Sequence, residues 1–308
     1  MQTLAAIPGQ TADQSMPVCQ PANKKPRRIR RFLAGLLLLV VVGLLVWSGS
    51  RITPADPAER LTLSGDVTHQ TLAQSTFRIG TMNIHGGKGT DRRRDLGRIA
   101  DCLQGLDLVG LNEVHGDRCG LRQNQADELG QRLSMQAVFA PTERRWWHNH
   151  FGNGMLTRVA LKNVQRIPLS GTQGKKFRNL ILASFRHQGQ TVHVLAAHID
   201  RVKDRTHQLQ TAVSLFLSLA EPAILMGDLN TPASDPQIQR LLAVNGVCDA
   251  VAQANKTNLP EKRIDWIFTR GLRCVTAGLV PTVASDHPLV WAELEISLPT
   301  AADRLNSN

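Results

Sequence analysis

Residues 224–232 read ILMGDLNTP. Ile224, Leu225 and Met226 form a short apolar run, closed by Pro222 before it and by Thr231-Pro232 after it, as expected of a short buried strand. The strand ends on an aspartate, and two residues later on an asparagine. A carboxylate in that place either caps a turn or meets something positively charged, so the residues around Asp228 decide between the two.

Working outward, the same arrangement recurs. FRIGTMNI from Phe77 reads as a strand ending near Asn83, and DLVGLNEV as a second buried strand carrying Glu113. TVHVLAAHI leads to His198 and Asp200, AILMGD to Asp228 and Asn230, and Asp286-His287 precede the strand-like PLVWAELEI. Further strand-like segments are MQAVFA, GNGMLTR, RNLILASFRH, RIDWIFT and CVTAGLV. Helical spacing of apolar residues marks RRRDLGRIADCLQ, the stretches 126–133 and 204–219, and a short piece near 236–243. There is no internal repeat. Many β segments interspersed with a few helices predict one α/β domain over 76–298, with its sheets covered by helices.

One polar residue at a strand end is ordinarily a turn former. Five recurrences predict a shared pocket, because the strand ends along one sheet edge gather their loops in one place. The residue types are carboxylates, carboxamides and imidazoles. That oxygen-rich set suits Mg²⁺ or Mn²⁺, and no Cys/His cluster offers a zinc cage.

The motifs TMNIHGG (81–87), GLNEVHG (110–116), GNGMLTR (152–158), AAHID (196–200), MGDLNTP (226–232), RIDWIF (263–268) and ASDHPLV (284–290) resemble, in order and spacing, the endonuclease/exonuclease/phosphatase superfamily. Deoxyribonuclease I, exonuclease III and the neutral sphingomyelinases belong to it. The resemblance implies a two-sheet β-sandwich flanked by helices in four layers, and divalent-metal-dependent hydrolysis of a phosphoric ester. It implies Glu113 as principal metal ligand, Asn83 at the metal-bound phosphate, and Asp286 as negative charge beside the metal. It implies Asp228 as the carboxylate that orients or deprotonates water, and Asn230 as an amide donor to phosphate. His287 becomes general base or phosphate donor, held in its tautomer by Asp265, and His198 a donor to the scissile phosphate or leaving oxygen. Asp200 has either a turn or a site role, and Arg205 and Gln208 face solvent or brace the loop. Two departures separate the chain from the abasic-site nucleases of the superfamily. His85 stands where they carry an aspartate, and His198 where they carry a tyrosine; the chain has no tyrosine. An endonuclease-like hydrolase is the leading expectation, a lipid-headgroup phosphodiesterase or phosphatase the second, and a non-catalytic binding module on the same fold the third.

The remaining segments bear on location. From Phe32 to Trp47 no side chain is charged, and with Ser48–Ser50 the run is long enough, at about 1.5 Å per residue, to cross a hydrocarbon core of about 30 Å. Six Lys and Arg residues at 24–31 precede it and only Arg51 follows closely, so the positive-inside rule predicts a cytoplasmic N-terminus and an exported domain. The expected organisation is a basic disordered tail (1–31), a transmembrane helix (32–50) in the inner membrane, a linker (51–75), the catalytic domain and a polar tail (299–308). A cleaved signal peptide is the alternative, although its leading region is usually shorter than this one. Of the formal net charge of +11, the six basic residues and Asp13 before residue 50 leave 30 basic and 24 acidic residues beyond it, a net of +6. That suits nucleic acid or lipid headgroups as a partner. Four cysteines lie on the exported side; the local pairs Cys102–Cys119 and Cys248–Cys274 are favoured among three pairings, and four free thiols is the alternative. WWHNH (146–150) reads as a base-stacking or membrane-interface loop, with Arg144 and Arg145 as phosphate contacts; one tryptophan packed inward under the loop is the other reading.

Overall fold

The computed structural model describes residues 26–49, 60–65, 74–116, 123–145, 148–170, 177–254 and 259–297. The chain divides into two units, Met1–Gly49 and Ser50–Asn308.

The first unit holds one helix, α1 (Pro26–Gly49), which opens on a proline where its missing N–H is no loss and carries Arg27, Arg28, Arg30 and Arg31 in its first turns. Its stretch Arg27–Trp47 is long and apolar enough to cross a membrane, a property that a signal sequence near an N-terminus shares.

In the second unit the chain order is β1 (Thr76–Asn83), α2 (Leu96–Cys102), β2 (Leu108–His115), α3 (Gln125–Leu133), β3 (Gln136–Arg145), β4 (His148–Thr157), β5 (Lys162–Leu169), β6 (Arg178–His187), β7 (Gln190–His198), α4 (Arg205–Ser218), β8 (Ala223–Asp228), α5 (Pro236–Leu242), β9 (Cys248–Asp249), α6 (Ala250–Ala254), β10 (Asp265–Arg270), β11 (Leu272–Val280) and β12 (Leu289–Ile296). Two six-stranded sheets result, ordered β11-β12-β1-β2-β4-β3 and β5-β6-β7-β8-β10-β9. Each is mixed: β1–β2 and β7–β8 run parallel, and the other pairs antiparallel.

Alternation along the strands makes three apolar layers. Ile79, Val192, Val194, Ile224, Met226 and Val290 meet between the sheets. Val109 and Leu111 turn the other way, toward Ile99 and Leu103 of α2 and its flank and Leu129 of α3. Leu195 and Leu225 do the same toward Leu209 and Phe216 of α4 and Ile238 of α5. The four-layer sandwich expected from the resemblance is therefore the architecture. Strand β8 lies inside its sheet and is covered on both faces, which is why ILM is continuous rather than alternating.

Some local expectations change. The helix foreseen over RRRDLGRIADCLQ begins only at Leu96, because the Asp95 carboxylate accepts hydrogen bonds from the N–H groups of Gly97 and Arg98 and so caps it. The edge strand β5, whose sequence KNVQRIPL is too polar to announce itself, was not foreseen; nor were β9 and α6. Residues 60–65, in the stretch read as linker, lie against the domain: Arg60 bridges to Gln165 at one sheet edge and Ser64 to Ala137 at the other, with Leu61 and Leu63 packed on the inter-sheet core. Cys248 and Cys274 are free thiols, against the favoured pairing; Cys274 is tied to Thr276 through its Sγ and to Gln253 through its N–H. Cys102 is also free and faces Thr282 Oγ1 at 3.3 Å, while Cys119 lies outside the described residues.

Candidate active site

The strand register brings the nominated residues together. In the β7–β8 pair His198 lies opposite Asp228, and in the β8–β10 pair Asp228 lies opposite Asp265, so three side chains stand in a row along one edge of the second sheet. Asn83 and Asn112 are partners at the end of β1–β2 in the first sheet. The Asn83 Nδ2 donates to Asp228 Oδ2 at 3.1 Å and joins the two edges. Gly227 makes the row possible. Its φ is +139°, and a Cβ there would lie 1.9 Å from the carbonyl oxygen of Ala197, so only glycine lets β8 approach β7 this closely beside Asp228.

Around Asp228 the donors are dense. Its Oδ1 accepts from the Asn230 N–H at 2.9 Å, and its own N–H donates to Asn112 Oδ1 at 3.0 Å. His198 Nε2 lies 3.6 Å and His287 Nε2 3.9 Å from Oδ2. Burial pushes the Asp228 carboxyl up, and the charge of Asp265 adds to it; His287, Asn83 and the Asn230 N–H oppose, leaving it at about 6. His287 Nδ1 is 2.8 Å from Asp265 Oδ2. Burial alone would lower the His287 pKa, but the hydrogen bond and charge of Asp265, with Asp228 and Asp286 behind it, overcome that and raise it to about 9. Burial and Asp265 thus hold the Asp228 carboxyl above its usual range, while Asp265 favours the protonated form of His287.

The nominees outside this row occupy two places. Asp286 is exposed, with Oδ1 3.2 Å from His85 Nδ1. Glu113 is half-buried on β2, where the register with β4 shifts, and its φ is +57°. His85 and Asn230 also have positive φ, 48° and 47°. Three non-glycine residues thus take left-handed backbone around one site; asparagine and histidine enter that region readily, so Glu113 is the one whose backbone local preference does not explain. The Asn230 Nδ2 donates to the Ile199 carbonyl at 3.0 Å, bracing the loop from within as well as offering its second hydrogen.

Among the described residues, the one group of three ligand-type side chains with atoms mutually within 4.8 Å is Asp228, Asp265 and His287; Glu113 and Asp286 are not in it. Asp265 Oδ1 is buried without a hydrogen-bond partner. Oxygen and imidazole donors, with no thiolate near them, fit a hard divalent cation.

Other residues matter that sequence reading passed over. Asn112 donates through Nδ2 to Asn153 Oδ1 and the Ala197 carbonyl, both at 3.1 Å. Asn153 donates to Asn179 Oδ1 at 2.8 Å, and Asn179 donates to the carbonyls of Ala140 and Pro141. These three buried amides cross from one sheet to the other behind Asp228. Two of them stand inside LNE and GNG, but nothing in a linear sequence says that they touch. Arg178 opens β6 near Asp200, Glu113, Asp228 and Glu143; burial lowers its pKa, and the charges of those carboxylates oppose that only in part. Ser285 donates from Oγ to the Asn83 carbonyl at 2.6 Å. The Arg263 guanidinium bonds both oxygens of Asp249, stacks 3.9 Å from the Trp266 ring centroid, and so fixes the segment that presents Asp265.

Asp200 proves to be a loop organiser: its Oδ2 accepts from the N–H groups of Val202, Lys203 and Asp204. Gln208 is fully buried and braces that loop through the Asp200 N–H at 2.8 Å, while Arg205 sits 3.8 Å from Asp235. Arg144 is exposed; Trp146 and Trp147 lie outside the described residues.

No curated protein matches the chain. Several solved structures share its fold at identities that bear on the fold alone. An endonuclease/exonuclease/phosphatase from Beutenbergia cavernae has a TM-score of 0.59 and 23% identity, covering 72% of each chain. D. rerio TDP2 complexed with single strand DNA product has a TM-score of 0.54 and 21% identity, over 72% of this chain and 100% of that one. The human nocturnin catalytic domain with bound sulfate anion has a TM-score of 0.55 and 17% identity, over 72% and 93%. The model of the Endonuclease/Exonuclease/phosphatase family matches residues 80–287, from the middle of β1 to His287 and so across every strand end described above. With well over half of its length matched, the chain belongs to that family.

Proposed function

We propose that the protein is a divalent-metal-dependent phosphodiesterase that hydrolyses its substrate by attack of water. The observation that carries the reading is the 2.8 Å Asp265–His287 pair set beside an Asp228 whose pKa lies just under neutrality. Such a carboxylate is ionised at pH 7 and close to the best basicity for taking a proton there. Asp228 orients the water and accepts its proton as oxygen bonds to phosphorus. His287, protonated and held by Asp265, donates toward the phosphate or the departing oxygen as the P–O bond breaks. His198 and the free hydrogen of Asn230 supply further donors, and Arg178 offsets the carboxylates. We assign the cation to the oxygen donors of Glu113, Asn83 and Asp286, which leaves Asp228, Asp265 and His287 for the water and the phosphate; the Asp228–Asp265–His287 group is the alternative place for it. When bound, the cation polarises the phosphoryl group and offsets its developing charge.

Nucleic acid is the first substrate reading, supported by the basic balance of the exported part and by the DNA product held in the TDP2 complex. A lipid-headgroup phosphodiester is the second, favoured by helix α1. We assign α1 to an inner-membrane span with the basic cluster cytoplasmic and the domain exported. A periplasm-dependent reporter fused after residue 60 should be active, and inactivity would reverse that orientation. For the activity, the full chain in detergent is incubated with plasmid DNA, RNA, sphingomyelin and a bis-aryl phosphodiester, with Mg²⁺ and with chelator. Metal-dependent turnover of at least one, lost in Glu113→Ala and His287→Ala, is expected. No turnover of any substrate, with both variants binding ligand like the wild type, would leave a binding module.

A further inference from the structure

Among the described residues of the second unit, the two most exposed large apolar side chains both stand on loops at the candidate site. Val202 is 75% exposed and Val283 62%, ahead of Val280, Val275 and Val244. Val202 lies four residues beyond His198, and Val283 four residues before His287. Those two histidines approach the same oxygen of Asp228, at 3.6 and 3.9 Å, so the two loops start on either side of Asp228. Both loops are held. Asp200 Oδ2 accepts from the N–H groups of Val202, Lys203 and Asp204, and the Val283 carbonyl accepts from the Thr90 N–H at 3.1 Å. A Cβ on Gly89 would lie 2.3 Å from that carbonyl, so the loop at 88–95 packs closely against it. Exposed basic side chains accompany each valine: Arg201 and Lys203 beside Val202, Arg92 and Arg93 on the loop bound to Val283. No carboxylate of the described residues pairs with Arg92, Arg201 or Lys203, whereas Asp91 and Asp95 engage Arg98 and Asp286 faces His85.

We propose that this rim docks on an anionic lipid surface, Val202 and Val283 entering the headgroup layer while Arg92, Arg93, Arg201 and Lys203 meet the lipid phosphates. An apolar side chain held out in water by a fixed backbone gains only from a partner that removes it from water. A polynucleotide would engage the four cations, but it offers valine no apolar phase, and valine has no ring on which a base could stack. A bilayer interface supplies both kinds of contact together: the acyl boundary for the valines and negative headgroups for the cations. The pairing of basic and apolar side chains on the same two loops is what such an interface selects. Docked in this way, the site works at a membrane surface and not in bulk water, whichever phosphodiester it cleaves.

The test uses the full chain in nanodiscs of phosphatidylcholine, alone or with about 30% phosphatidylglycerol, with chelator present so that nothing is turned over. Val202→Cys, Val283→Cys and, just past α5, Val244→Cys are treated with a water-soluble maleimide. Peptide mass spectrometry reads the modification at the substituted position alone, apart from the native thiols. Anionic discs should slow labelling at 202 and 283 about tenfold relative to neutral discs and leave 244 unchanged, and about 0.5 M salt should remove most of the difference. Adding Arg201→Glu and Lys203→Glu to Val202→Cys should return its rate in anionic discs to the neutral-disc value. Equal rates in the two kinds of disc, or the same slowing at 244, overturn the inference. So does stronger protection of 202 and 283 by a single-stranded oligonucleotide in neutral discs, which would give the rim to nucleic acid. A chain that does not enter discs strikes the span assigned to α1 instead, and labelling beside free vesicles of the same two compositions then decides on the rim.

Discussion

Truncating Asn153 to alanine should damage both the sandwich and the site, although the residue carries no assigned chemistry. Its carboxamide is buried, donates to the Asn179 side chain at 2.8 Å and main chain at 3.1 Å, and accepts from Asn112 Nδ2 at 3.1 Å. Alanine leaves one Asn112 hydrogen and the Asn179 side-chain oxygen without these partners between the sheets. At about 1–3 kcal/mol for each buried group left unsatisfied, and with a water able to recover part of that, the loss is roughly 3–5 kcal/mol. For a domain of this size about 1 kcal/mol moves Tm by 2–4 °C, so a drop on the order of 10 °C is expected by calorimetry. The exposed Gln104→Ala serves as control and should stay within about 0.5 kcal/mol of wild type. Activity should fall as well, because Asn112 Oδ1 holds the Asp228 N–H at 3.0 Å and loses its own anchor. A Tm within about 2 °C of wild type together with unchanged kcat would refute the idea that the amide chain positions Asp228.

Three further outcomes follow from the site. The rate should climb with pH through the acidic range as Asp228 ionises, its carboxyl held above the usual value by burial and by Asp265; a pH–rate profile flat across that range would remove Asp228 as the base. In metal-free protein, His287 is raised from 6.5 to about 9, so its stabilisation is complete below about 6.5 and fades as pH rises through 9. The stability difference between wild type and Asp265→Asn should therefore shrink across that window, read by denaturant titration at several pH values; a difference that grows contradicts the assignment. Chelation should abolish turnover, and Glu113→Ala should weaken metal affinity by tenfold or more in calorimetry, whereas an equal loss confined to Asp265→Asn would move the cation to the Asp228–Asp265–His287 group.

What sequence could and could not disclose divides along a physical line. Strand β8 announced itself because burial on both faces leaves no polar residue in Ile224–Met226, and the polar strand ends announced themselves because carboxylates and imidazoles stand there where packing alone asks for none. Strand β5 stayed hidden because an edge strand is half solvated and its composition resembles a loop. The motif GNG was visible, but the role of Asn153 was not: a buried amide is specified by what stands 26 and 41 residues away, and only the register of β2, β4 and β6 creates that neighbourhood. Asp228 joins the two cases. Its place at a strand end was readable from ILMGDLNTP, yet the raised pKa that suits it to the role of base proposed above comes from burial and from Asp265 across the β8–β10 ladder. The identity of a catalytic group can thus be local in sequence while its strength is a property of the fold. For that reason Gly227, which has no chemistry, bears on the proposed site as directly as the aspartate beside it: with any side chain there, β8 could not close on β7 and Asp228 would lose its place opposite His198.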